Sequence, residues 1–286
     1  MTPTLARQDL SRTGAAPRAD RRARARDWAE IQERMLVPLY EAVYERLEVG
    51  SGTRLLGLGC GAGLALLMAA SRGASVTGVD SGARERLALA RERLLPRTRG
   101  TRARTGTRLV DGSPRQAAPA PDEPAYNLLT AFEPVGCADG DTNALEEQLA
   151  AATPLAERGA LVVLAAWGPP ERCSTSSVLR VATKPADPEG GAGGWRPARR
   201  DDLEEAARRC GLRPDGSGRV ACPFGYADMD SALRGMLSTG FFDAAIHATD
   251  QEQVDKELTE ALHPYLRPDG TVWMPNVFRY LIARVP

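Results

Sequence analysis

The chain has 286 residues, 43% of them apolar and 26% charged, and its 37 basic and 37 acidic residues cancel to a net charge of zero. That suits one large α/β domain with insertions, or two small ones, and excludes a chain disordered throughout. A balanced charge argues against nucleic acid as partner. No apolar run approaches the ~20 residues that cross a bilayer, so no membrane is expected either.

The first residues carry no apolar signal core, and a cytoplasmic protein is expected. Five cysteines (Cys60, Cys137, Cys173, Cys210, Cys222) include no C-x-x-C pair. An odd count without paired spacing predicts free thiols, with neither a disulfide framework nor a metal site.

Residues 1–26 contain seven arginines and no apolar periodicity, which reads as a flexible N-terminal tail. From Trp28 to Leu47 apolar residues recur at helical spacing, and Pro38 splits the run into two short helices, a cap over residues 27–50. Strands and helices then alternate through a core spanning 51–225. Strands are predicted at Thr53 to Leu58, Ser75 to Val79, Arg108 to Val110, Tyr126 to Ala131 and Ala160 to Ala166. Helices fall at Leu64 to Arg72, Arg84 to Leu95 and Thr142 to Ala152. This alternation predicts a doubly wound α/β sheet.

A Gly- and Pro-rich stretch at 168–198, with glycines at 190, 191, 193 and 194, reads as a surface insertion. Asp201 is the expected cap of the next helix, and a sixth strand follows near Gly218 to Cys222. Residues 226–266 form a helical insertion with a Met and Phe stripe, in which Thr249 and Glu252 make a capping box. The segment 267–286 supplies the last strand.

The sharpest signal is Leu55-Leu56-Gly57-Leu58-Gly59-Cys60-Gly61-Ala62-Gly63, on a strand-to-helix turn. Glycines there admit positive φ and let a ligand approach the main chain. Asp80, 21 residues after Gly59, ends the next strand, where a carboxylate can accept both hydroxyls of a ribose. Together they predict a nucleoside cofactor. Gly57-x-Gly59-x-x-Ala62 also fits the dinucleotide fingerprint formally, which keeps a nicotinamide cofactor as a competing reading.

The run 55–63, with Val76-Thr77-Gly78-Val79-Asp80 and Gly159-Ala160-Leu161-Val162-Val163, resembles the class I S-adenosylmethionine-dependent methyltransferases. Shorter stretches at Asp27-Trp28-Ala29-Glu30, Trp167-Gly168-Pro169-Pro170-Glu171 and Asn276 to Tyr280 are similar to small-molecule members from actinobacterial specialised metabolism. The composition agrees, since only Lys184 and Lys256 among the 37 basic residues are lysines, as high-GC coding produces.

The resemblance implies a Rossmann-like sheet, mostly parallel with an antiparallel last strand, plus a helical lid. It implies S-adenosylmethionine or S-adenosylhomocysteine as cofactor. Gly59, Cys60, Gly61 and Gly63 would lie against its methionine part, Asp80 and Ser81 at its ribose, Asp111, Gly112 and Ser113 at its adenine, and Phe132 beside it. The chain departs from the family at Gly57 and Asn127, where an acid is usual, and in the loop Glu133 to Cys137. The departures leave room for an alternative on the same fold, a cyclase or rearrangement catalyst that binds the cofactor without net methyl transfer.

Methyl transfer needs alignment and exclusion of water, and a base only where the acceptor must lose a proton. His247 and His263 are the only histidines. His263 precedes Pro264 at a helix end, so His247 and Glu133 are the candidate bases. Trp28, Tyr40, Met236 and Phe241 are the candidate acceptor-binding residues. A weakly charged, apolar lid predicts a hydrophobic small molecule as substrate, and the resemblance implies a place in bacterial natural-product biosynthesis. A homodimer is compatible with this reading.

Overall fold

The computed structural model describes residues 18–95, 106–137, 140–183 and 197–286. Most of the expected tail and the glycine run near 190 lie outside them. The chain opens with helix α1 (Arg18–Asp27), one π-helical turn at Trp28–Gln32, a 3-10 turn at Glu33–Leu36 and α2 (Val37–Arg46). Pro38 lies in the first turn of α2, where its missing N–H has no helical partner to lose.

The core continues as β1 (Arg54–Leu58), α3 (Leu64–Ser71), β2 (Ser75–Asp80), α4 (Arg84–Leu94), β3 (Thr107–Asp111), β4 (Tyr126–Val135), α5 (Asp141–Ala152) and β5 (Ala156–Trp167). Next come α6 (Thr175–Leu179), α7 (Asp202–Arg209) and β6 (Arg213–Ala221). The C-terminal part holds β7 (Phe224–Tyr226), α8 (Met229–Ser238), α9 (Asp243–Ala248), α10 (Gln251–Leu262), β8 (Val272–Met274) and β9 (Val277–Arg284).

Seven strands form one sheet in the order β3-β2-β1-β4-β5-β9-β6. Neighbours pair in parallel from β3 through β5, and β9 runs antiparallel to both β5 and β6. This is the Rossmann-like, mostly parallel sheet with an antiparallel last strand. Alternate residues of each strand enter opposite apolar layers. Leu55, Leu128, Val163 and Ile282 face the layer built with α2, α3 and the C-terminal helices. Leu56, Leu129, Leu164 and Leu281 face the layer built with α5 and α7. Each such fully buried leucine contributes about 1.5–3 kcal/mol.

Four details differ from the sequence expectation. First, residues 18–26 are helical rather than tail. Asp20 lies in the first turn of α1 and Arg24 and Arg26 in the last, as the helix dipole favours, and Ala25 is its buried contact. Second, β7 and β8 pair as a small antiparallel sheet beneath the lid helices. Third, Asp250 rather than Thr249 caps α10, accepting from the Gln253 N–H at 2.8 Å, while the Thr249 hydroxyl donates back to the Ala245 carbonyl. Fourth, Asp201 occupies the N-cap position of α7 without a side-chain bond, and Asp202 accepts from the Arg199 N–H at 2.9 Å. No helix among the described residues is long and apolar enough to cross a membrane.

Candidate functional site

The chain order reverses direction across the sheet between β1 and β4, and the crevice at their carboxyl ends is where open α/β sheets bind ligands. There β1 turns into α3 through Gly59, Gly61 and Gly63, at φ of 60°, 54° and 81°. A Cβ on Gly61 would lie 3.3 Å from the Trp28 indole nitrogen. One on Gly63 would lie 2.9 Å from the Ala90 Cβ. Both positions therefore require glycine for conformation and for space.

Asp80 fastens this turn. Its Oδ2 accepts from the Gly61 N–H at 3.1 Å, and its Oδ1 accepts from Gly82 and Ala83 at 3.0 and 3.1 Å. Glu33 reaches in from the N-terminal cap. It accepts from the Leu64 N–H at the start of α3 and pairs with Arg93 at 2.6 Å. Arg93 also donates to the carbonyls of Ala62 and Ala29. Burial raises the Glu33 carboxyl above its ordinary range in spite of Arg93. Burial likewise pushes the Cys60 thiol up to about 12, which leaves it protonated and unreactive at neutral pH.

Two connected cavities meet at Leu58, Gly59, Asp80, Arg86 and Glu133. The larger, about 410 Å³, also involves Ser81, Gly112, Gln148 and the polar residues Arg21, Arg24, Thr239 and Asp243. The smaller, about 40 Å³, runs beneath the glycine turn past Trp28, Tyr40, Cys60, Gly61 and Phe132. Arg86 stacks its guanidinium 4.0 Å above the Trp28 ring and donates to the Ser238 carbonyl at 2.7 Å. The Trp28 indole N–H is buried beside Gly61 of the glycine turn, without a partner among the described residues.

Glu133 lines both cavities. Burial lifts its carboxyl above the ordinary range, Arg86 pulls it down, and Asp80 and Asp141 raise it.

The structure thus brings Gly59, Cys60, Gly61, Asp80, Ser81, Gly112, Phe132, Glu133, Trp28 and Tyr40 to one crevice. Gly63 stands behind the turn, against α4. Asp111 is exposed and pairs with Arg84 at 3.4 Å, and Ser113 accepts from the Arg115 N–H; neither lines the two cavities. Met236 is buried in the core, where its sulfur accepts from the Tyr226 hydroxyl, and Phe241 packs edge-on against Phe242. His247 is exposed on α9 and lines neither cavity.

Sequence reasoning missed Glu33, Arg86 and the α1 arginines. Charge pairs carry α1 to the crevice: Arg24 with Asp243 at 2.6 Å, Arg21 with Glu85 at 3.3 Å, and Asp27 with Arg234 at 2.7 Å. Such long-range pairs leave no periodic trace in a sequence.

No family model matches the chain, and no curated protein matches it. Solved structures do. A SAM-dependent methyltransferase from Thiobacillus denitrificans, in complex with S-adenosyl-L-homocysteine, aligns with a TM-score of 0.54 at 16% identity, over 95% of this chain and 100% of that one. The YcgJ protein from Bacillus subtilis aligns with a TM-score of 0.53 at 15% identity, over 86% and 97%. YjhP from E. coli aligns with a TM-score of 0.52 at 18% identity, over 94% and 100%. At these identities the likeness establishes the fold: the chain has the Rossmann-like fold of S-adenosylmethionine-dependent methyltransferase structures.

Proposed function

We propose that the protein is an S-adenosylmethionine-dependent methyltransferase acting on a small molecule. One observation carries the reading: the left-handed glycine turn and Asp80 converge on one crevice at the switch point of the sheet. The residues fit the cofactor's chemistry. Asp80 accepts three N–H groups and keeps about one of its four lone-pair sites for a ribose hydroxyl. The glycines allow close approach to the main chain, and the orphan Trp28 N–H offers a donor beside them for a carboxylate. The Thiobacillus structure of the same fold holds S-adenosyl-L-homocysteine, which supports the assignment.

When bound, the cofactor supplies a methyl group activated on a sulfonium. The protein's residues then orient and exclude water. Glu133 is the candidate base, because it stands where the two cavities meet and burial raises its carboxyl above the ordinary range. A hydroxyl or amine of the acceptor would donate its proton to the Glu133 carboxylate.

The lid's Met236 and Phe242 pack into the core, and the crevice is walled by Arg24, Arg86, Glu133 and Asp243. The acceptor we propose is therefore small and polar, rather than the hydrophobic molecule the lid composition suggested. A place in bacterial natural-product biosynthesis rests on the sequence resemblance.

The test is release of S-adenosylhomocysteine from S-adenosylmethionine in the presence of a panel of small polar hydroxyl and amino compounds. Stoichiometric release with a methylated product supports the reading. Conversion of a compound that requires bound cofactor yet releases no S-adenosylhomocysteine would replace it with the cyclase or rearrangement alternative.

A further inference from the structure

A second concavity lies apart from the crevice and shares no residue with it. It measures about 1150 Å³, at the carboxyl end of β5 and beside the edge strand β6. Arg172, Arg199, Arg200, Arg219 and Arg279 line it. Arg279 is neutralised by a two-pronged pair with Glu204 on α7. The guanidiniums of Arg172, Arg199, Arg200 and Arg219 have no ion-pair partner among the described residues.

Two further features set this cluster apart from scattered surface charge. Arg219 and Arg279 stand directly opposite each other in the β6–β9 ladder, so both point to the same face. Like charges at that position destabilise a sheet, and Glu204 offsets only one of the two. The five arginines, set against Glu171 and Glu204, leave a local surplus of three positive charges in a chain whose net charge is zero.

We propose that this groove is a binding site for a diphosphate-bearing small molecule, held by Arg172, Arg199, Arg200 and Arg219. Guanidinium forks match phosphate oxygens two at a time. Four forks offer more donors than one carboxylate can accept. A terminal diphosphate, with roughly two to three negative charges, balances the surplus that a single carboxylate leaves. The groove also adjoins the loop after β4. A Cβ on Gly136 would touch Ala198 at 3.1 Å, while Glu133, near the end of β4 itself, lines the crevice. The alternative is that the arginines only guard the β6 edge against pairing with another strand.

Calorimetric titration of the full chain with inorganic pyrophosphate separates these. The site predicts saturable binding of one equivalent with a Kd below about 1 mM at low salt, weakening as salt rises. R219A, and separately R199A/R200A, are expected to weaken it at least about tenfold. R208A, on the exposed surface of α7, is the control and leaves affinity unchanged. Thermal unfolding of each variant verifies the fold. Absence of saturable binding at about 10 mM pyrophosphate overturns the proposal, and so does an equal loss in R208A and R219A.

Discussion

Replacing Asp80 with asparagine probes the crevice most sharply, because the structure gives that side chain two jobs. Its carboxylate accepts three main-chain N–H bonds at 3.0–3.1 Å, which hold the glycine turn against the loop after β2. It also faces the larger cavity as the acceptor for a ribose. A hydrogen bond to a charged group contributes about 1.5–3 kcal/mol. Asparagine keeps one acceptor oxygen and turns the other into a donor. That donor then opposes either the Gly61 N–H or the Gly82 and Ala83 pair.

The expected loss of stability is about 1–3 kcal/mol, since unmet donors at this half-buried site recover some bonding from cavity water. The expected loss in S-adenosylhomocysteine affinity is about 1.5–3 kcal/mol, or roughly tenfold to a hundredfold. Calorimetry measures the second quantity, and chemical denaturation measures the first. A variant that is less stable yet binds with wild-type affinity would refute the ribose assignment and leave Asp80 as a loop clamp alone.

Other outcomes follow from the same geometry. Arg93→Ala strands the buried Glu33 carboxylate and is expected to destabilise by about 3–5 kcal/mol, read by denaturant titration. Gly63→Ala forces a side chain onto φ of 81° and against Ala90, and is expected to lower Tm by several degrees, corresponding to about 1–3 kcal/mol. Glu133 has a folded pKa above its usual 4.5, so it favours the native state at low pH and loses that contribution as pH rises through the raised value. Melting curves of Glu133→Gln should therefore gain on wild type as pH rises above about 4.5, whereas a constant difference would remove the burial argument. His247→Ala is expected to keep turnover within about twofold, because the ring is exposed outside both cavities and a positioned base contributes far more.

The parallel part of the sheet was legible because β1, β2, β4 and β5 are built around short apolar runs punctuated by glycine or proline, as buried parallel strands read. The glycine turn and Asp80 were legible because their spacing is local, within one strand–helix–strand unit. The lid was less legible. A helical Met and Phe stripe marks a buried face without saying whether core or ligand covers it, and here Met236 is buried in the core and Phe241 packs against it. Helix α1 was invisible because charge pairs between residues some two hundred positions apart fasten it, as Arg24 with Asp243. Glu33 and Arg93 escaped for the same reason: each is an ordinary helix charge until the fold buries one against the other.

The central claim is that the crevice holds S-adenosylmethionine or its demethylated product. Calorimetric titration of the wild-type chain with S-adenosylhomocysteine tests it most directly. The account predicts one equivalent bound with a Kd at or below about 100 μM, together with a rise in Tm that scales with ligand concentration. Folded protein that gives neither heat nor a Tm shift at millimolar S-adenosylhomocysteine would contradict it.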